Sequence, residues 1–221
     1  MLHLTEEDIR NAMELYEREL ISPINKGTMF LAGVYCILSI CEKHEKYTSV
    51  FDRVKEKFHT PEDIINNRSL LREVIKPIIF PNRKAEYLYK FSTWWKNTDL
   101  SEEIIEDIQN GRKREFELRD EIAKEAPGIS YKNASFFMNK CGYVNVVPID
   151  LWELRLLEML GHNVEVSGYY EIKGGLRRKE YLKYENIIRE MARSFEVTPV
   201  LFHFAIWNKY RNLRKNNITK E

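Results

Sequence analysis

Glu125-Ala126-Pro127-Gly128-Ile129-Ser130-Tyr131-Lys132-Asn133-Ala134-Ser135 is the stretch that decides how this chain folds. Before it, Gly111 to Ala126 has the apolar spacing of a helix, and Pro127 lacks the backbone N–H needed to continue one. Gly128 supplies the freedom for a tight turn. Helical periodicity then resumes over Tyr131 to Lys140 and stops at Gly142. Two helices joined by so short a turn leave the first N–H groups of the second facing outward, an arrangement that suits a phosphate oxygen. Most Pro-Gly turns only reverse the chain, so this feature alone predicts a helical hairpin and nothing more.

Working outward, nearly every long segment reads as helix. Glu6 to Leu20 follows a Thr5 cap, Thr28 to Cys41 is apolar enough to be buried, and Val50 to Phe58 is shorter and amphipathic. Thr60-Pro61-Glu62-Asp63 combines a cap, a proline in the first turn and two acids at the positive dipole end. Leu70 to Ile78, Lys84 to Lys96 and Ser101 to Gln109 continue the pattern, with Ser101 expected as a cap. Beyond the hairpin come Leu151 to Leu160, Leu176 to Phe195 and Pro199 to Arg214. Asn163 to Gly175 alone lacks a helical reading. The fold class expected is all-α.

The 221 residues, 43% hydrophobic and 31% charged, have the composition of an ordinary globular protein. No apolar run approaches the roughly 18 residues that span a bilayer, and Met1 to Arg10 does not resemble a signal peptide. The expectation is a cytoplasmic protein that contacts no membrane. Cys36, Cys41 and Cys141 are too few for a disulfide framework and lack the clustering of an iron–sulfur site. Cys36, Cys41 and His44 have no clear fourth ligand, so no metal or other cofactor is expected. Net charge is only +1, but Ile172 to Glu221 holds twelve Lys and Arg against five Glu. That basic section is either a phosphate-binding face or a solvated helix surface.

Pro127-Gly128-Ile129-Ser130-Tyr131-Lys132-Asn133-Ala134 resembles the helix-hairpin-helix of the endonuclease III superfamily of DNA glycosylases, with Lys132 at the position of the family's catalytic lysine. The family's catalytic aspartate lies 18 residues further on, and Val147-Pro148-Ile149-Asp150 places Asp150 there. Upstream, Ile37-Leu38-Ser39, Val50-Phe51 and Phe58 to Ile64 are similar to the family's early helices, and Ile75 to Ala85 to its arginine, any residue, lysine-alanine stretch. Within the superfamily, Tyr131 to Phe137 with Cys141-Gly142-Tyr143 is similar to the compact archaeal and thermophilic 8-oxoguanine DNA glycosylase/lyases, which lack the iron–sulfur cluster. Leu201 to Trp207 is similar to their tryptophan-bearing terminal helix. Three departures stand out. Ser130 replaces the hairpin's second glycine, which carries a steric cost if that position needs a positive φ. Leu151-Trp152 stands where arginine-histidine is usual, and the basic tail continues past Trp207.

The resemblance implies two helical lobes with a DNA- and base-binding cleft between them. Residues 30–145 would form the lobe containing the hairpin (about 118–141), and 1–29 with 146–221 the second. It implies a base-excision repair glycosylase with AP lyase activity, acting as a nucleoid-associated monomer on double-stranded DNA that contains a damaged base and excising 8-oxoguanine through a lysine Schiff base. Lys132 would attack the sugar and Asp150 would stabilise developing positive charge. Gly128, Ser130, Tyr131, Arg83 and Lys84 would contact DNA, with Arg177, Arg178 and Lys179 as further phosphate candidates, and Trp207 and Phe202 would meet the base. Each residue also has a plain structural reading. Asp150-Leu151-Trp152-Glu153 has capping-box spacing, the aromatics are spaced for a core, and exposed basic side chains are common. Excision of uracil or an oxidised pyrimidine, and a DNA-binding module without catalysis, are the alternatives.

Overall fold

The computed structural model describes the backbone of residues 4–164 and 176–218 and the side chains of 4–164 and 176–211. These residues form twelve α-helices and no strand. Most of the segment read as non-helical, Asn163 to Gly175, lies outside the described residues.

The chain divides into two compact units. Unit 1 comprises Met1–Leu20 and Gly142–Glu221, and unit 2 comprises Ile21–Cys141. The sequence reading put the first division near residue 30. It falls earlier because α2 (Lys26–Leu38) packs on α6 (Pro81–Asn97) and α9 (Tyr131–Lys140), burying nine of its thirteen residues. Asn25 and Thr28 close a capping box that starts α2 at Lys26, two residues ahead of the helix start expected at Thr28.

In unit 2, α3 (His44–Lys57) packs on α2 and on α5 (Arg68–Ile75), while α4 (Pro61–Asn66) and α5 cover α6. The α2–α6 approach is close: a Cβ on Gly33 would lie 2.2 Å from the Phe91 ring, so a hydrogen is all that fits. Phe91 stacks on Phe30 and tilts against Trp95, which meets Phe137 edge-on. α7 (Leu100–Gln109) leads to α8 (Glu115–Glu125), the first helix of the hairpin.

Two expected helix starts are displaced. Ser101 lies inside α7 and donates to Glu102 rather than capping. α8 begins at Glu115, not Gly111, because Gly111 and Arg112 turn with φ of 89° and 58°. Buried Asp107 holds that turn through Arg112 N–H on its carbonyl and Arg114 N–H on its carboxylate.

Unit 1 is assembled from both ends of the chain. α1 (Glu6–Glu19), started by the Thr5 box, runs along α12 (Pro199–Ile218), where Lys209 meets Asp8 at 2.7 Å. α10 (Leu151–Met159) and α11 (Arg178–Ser194) pack on α12.

Candidate active site

The hairpin has a local cause at each step. Ala126 ends α8 with its N–H on Ile122. Ile129 N–H then donates to the Ala126 carbonyl at 3.2 Å, with Pro127 and Gly128 at the two central positions. Gly128 has φ +81°, the combination of a type II turn. Space demands glycine as well, since a Cβ at 128 would lie 2.7 Å from the Tyr87 Cβ on α6. Ser130 is extended, at φ −94° and ψ 176°, and exposed. The positive φ that would penalise serine is therefore absent, and the substitution carries no backbone strain.

Lys132 is half-buried in the first turn of α9, which contains no acidic residue. The positive end of that helix is left available to an anion. α9 is held from behind. Asn133 donates to the Cys36 carbonyl at 3.1 Å. Buried Arg119 on α8 pairs with Asp120, donates to Ser135 at 3.3 Å and lies 5.2 Å from the Tyr131 ring. Sequence reading missed Arg119 because its partners on α9 lie across the turn and no local pattern marks them.

Arg83 is exposed, and its Nε donates to the Tyr87 hydroxyl at 2.8 Å, so it shares a neighbourhood with the Gly128 turn. Lys84 departs from expectation. It is 2% exposed and its amine donates to the Leu38 carbonyl at 2.8 Å. Burial pushes its pKa down to about 8 against the opposing pull of Glu42 and Cys41. It ties α6 to α2 and is no longer a phosphate candidate. At the start of the same helix, Phe80 is 59% exposed in a left-handed conformation. The sequence reading passed over it, since an aromatic between Ile79 and Pro81 looks like core.

Asp150 opens α10 in unit 1, whereas Lys132 belongs to unit 2. The Asp150 carboxylate accepts from Trp152 N–H at 2.7 Å, and its own N–H donates to Glu153 at 2.9 Å, completing the expected capping box. Glu153 is fully buried and its other oxygen meets His203 Nδ1 at 2.7 Å. Burial acts to raise the Glu153 pKa, but His203 and the Asp150 N–H outweigh it and hold the carboxyl well below the ordinary range. The segment entering α10 is gripped by α11: Glu185 accepts from Val147 N–H at 3.0 Å, and the Tyr181 hydroxyl donates to the Val147 carbonyl.

Phe202 is fully buried against Phe195 and belongs to the core of unit 1, not to a base-binding surface. Trp207 is half-buried, with the Arg211 guanidinium 4.7 Å from its ring. Arg177, Arg178 and Lys179 are exposed at the start of α11. Among the described residues, no group of three or more His, Cys, Asp or Glu could hold a metal, and no helix is long and apolar enough to cross a membrane.

The sequence model of the 8-oxoguanine DNA glycosylase family matches residues 10–197, which take in the hairpin, Lys132 and Asp150. The chain belongs to the 8-oxoguanine DNA glycosylase family. Among similar family members, the 8-oxoguanine DNA glycosylase/AP lyase of Sulfolobus acidocaldarius is 30% identical over 133 residues, 60% of this chain and 59% of that protein. The enzyme of the same name from Thermoplasma volcanium is 26% identical over 86% of this chain and 84% of its own length. The fold is that of the Methanocaldococcus jannaschii 8-oxoguanine glycosylase/lyase crystallised with a 15mer DNA containing 8-oxoguanine. That structure has a TM-score of 0.67 at 22% identity, covering 91% of this chain and 88% of the other.

Proposed function

We propose that this chain excises 8-oxoguanine from duplex DNA and then cleaves the strand at the abasic site through a lysine Schiff base. The observation that carries the proposal is a helix-hairpin-helix with Lys132 in the first turn of its second helix, followed by a helix that Asp150 opens. Family membership across both residues, and relatives named glycosylase/AP lyases, support it.

In the proposed reaction the hairpin around Gly128, Ser130 and Tyr131 holds a backbone phosphate and Arg83 a neighbouring one. The lesion leaves the stack, exposed Phe80 fills the gap, and Trp207 stacks on the extruded base. The neutral Lys132 amine attacks C1′ as the bond to the base breaks, and the electron pair leaves with the base, which gains a proton. Asp150 stabilises the positive charge that develops on the sugar. Loss of the amine proton and opening of the sugar ring give an imine. Removal of a C2′ proton then expels the 3′ phosphate, and water frees the lysine. These steps require no metal or redox cofactor, and the enzyme acts as a monomer on nucleoid DNA in the cytoplasm.

The test is borohydride reduction during incubation with duplexes containing 8-oxoguanine, uracil or thymine glycol. A covalent complex is expected with 8-oxoguanine and not with Lys132→Gln. Preferential trapping on another lesion would reassign the substrate, and trapping by Lys132→Gln would remove the nucleophile.

A further inference from the structure

The caps of this chain differ in a way that helix stability does not require. The boxes at Thr5 and Thr60 join a hydroxyl to an acid, Asp8 or Asp63, and their bonds lie at the surface. Such boxes satisfy the helix terminus without fully burying a charge, and even Asp8, which also meets Lys209, keeps part of its carboxylate in solvent. At α10 the cap is itself an acid, and the acid that answers it, Glu153, is fully buried. Withdrawing a carboxylate from water is strongly unfavourable unless a partner offsets it. His203, 50 positions away on α12 and itself buried, is that partner at 2.7 Å. A run of hydrogen bonds therefore leads from α12 through Glu153 to the backbone of Asp150, while Tyr181 and Glu185 fix the preceding residues from α11. α10 could be capped without Glu153 or His203. What the buried pair adds is a fixed orientation for the first turn, and so for the carboxylate that opens it.

We propose that Glu153 and His203 are positioning residues for the excision step, acting solely through the placement of Asp150. The proposal rests on the reading of Asp150 as the anion that stabilises the sugar. Displacing a reacting group by about an ångström can cost on the order of a hundredfold in rate, so removing the charged link is expected to slow excision about ten- to a hundredfold. DNA affinity is expected to stay the same, because neither residue is placed to touch DNA.

The test is single-turnover excision from an 8-oxoguanine duplex by the full chain, together with the Kd for a duplex containing an unreactive abasic analogue. Glu153→Gln keeps the shape and an acceptor for the Asp150 N–H but loses the charge. It is expected to be slow, with an unchanged Kd. In an Asp150→Asn background it is expected to add nothing, because both changes act on one group. Effects that multiply in the double variant, or a wild-type rate for Glu153→Gln beside a slow Asp150→Asn, overturn the proposal. A wild-type rate for Asp150→Asn overturns the parent reading instead. If Glu153→Gln does not fold, two His203 variants decide. His203→Asn can place a donor near the Nδ1 position and is expected to keep at least about a third of the rate, whereas His203→Gln is expected to lose about tenfold or more. Equal rates for the two refute positioning through that bond.

Discussion

Replacing Gly128 by alanine should damage the hairpin in two separable ways, both measurable from its geometry. At φ +81° a residue with a side chain costs about 1–2 kcal/mol. The new methyl would also lie 2.7 Å and 2.8 Å from Tyr87 Cβ and Cγ, which belong to the fixed base of that side chain rather than to its free end. α6 or the turn must shift to admit it, an overpacking cost of about 1–3 kcal/mol. Alanine's smaller unfolded-state entropy returns about 0.4–1 kcal/mol, leaving a net loss of about 2–4 kcal/mol. In urea, with a slope of about 1–3 kcal/mol per molar, the midpoint should fall by roughly 1–2 M. The companion variant Ser130→Gly should lower stability by only about 0.4–1 kcal/mol, the unfolded-state entropy of a glycine, since Ser130 is extended, exposed and makes no side-chain cap bond. A Gly128→Ala midpoint within about 0.2 M of wild type, or a clear gain from Ser130→Gly, would refute the assignment of the turn's strain to residue 128 alone.

Phe202→Ala should cost about 3–5 kcal/mol in a denaturant titration, because it empties a fully buried site. Trp207→Ala, at a half-buried ring, should instead reduce excision with a smaller loss of stability. Lys84 has a folded pKa near 8, below its unfolded value, so the native chain sheds this proton first. Its stability should rise by on the order of 1–3 kcal/mol relative to Lys84→Met as pH climbs from about 8 to 10.5, and a parallel pair of pH–stability curves would exclude that. Phe80→Ala should leave the melting temperature within about 2 °C, because the ring is mostly exposed. It should weaken excision from duplex more than from single-stranded DNA, and equal effects on both would remove it as the wedge.

What was legible in the sequence was whatever depends on neighbours a few positions apart. Thr5, Thr60 and Asp150 are caps where spacing places them, and Pro127-Gly128 turns the chain where expected. The Ser101 expectation failed for a related reason: nothing local distinguishes a cap from a serine one residue inside a helix, and α7 begins at Leu100. Long-range partners were invisible. Lys84 reads as a surface cation until Leu38, 46 positions away, receives its amine. His203 reads as one more residue of an aromatic helix until Glu153 appears beside it. Phe202 and Trp207 share a helix, and only tertiary burial separates a core ring from one that solvent still reaches.

The division of the chain also sets a timetable. Ile21–Cys141 is continuous, so during synthesis this unit can fold once it has emerged, before the rest of unit 1 is available. α1 must wait for α12, which lies beyond the whole of the other unit in the chain, before Asp8 can meet Lys209. The lysine thus sits on a support that one uninterrupted stretch supplies, while the helix opened by the aspartate belongs to a unit that needs both flanks of that stretch. That unit closes only when α12 has met α1.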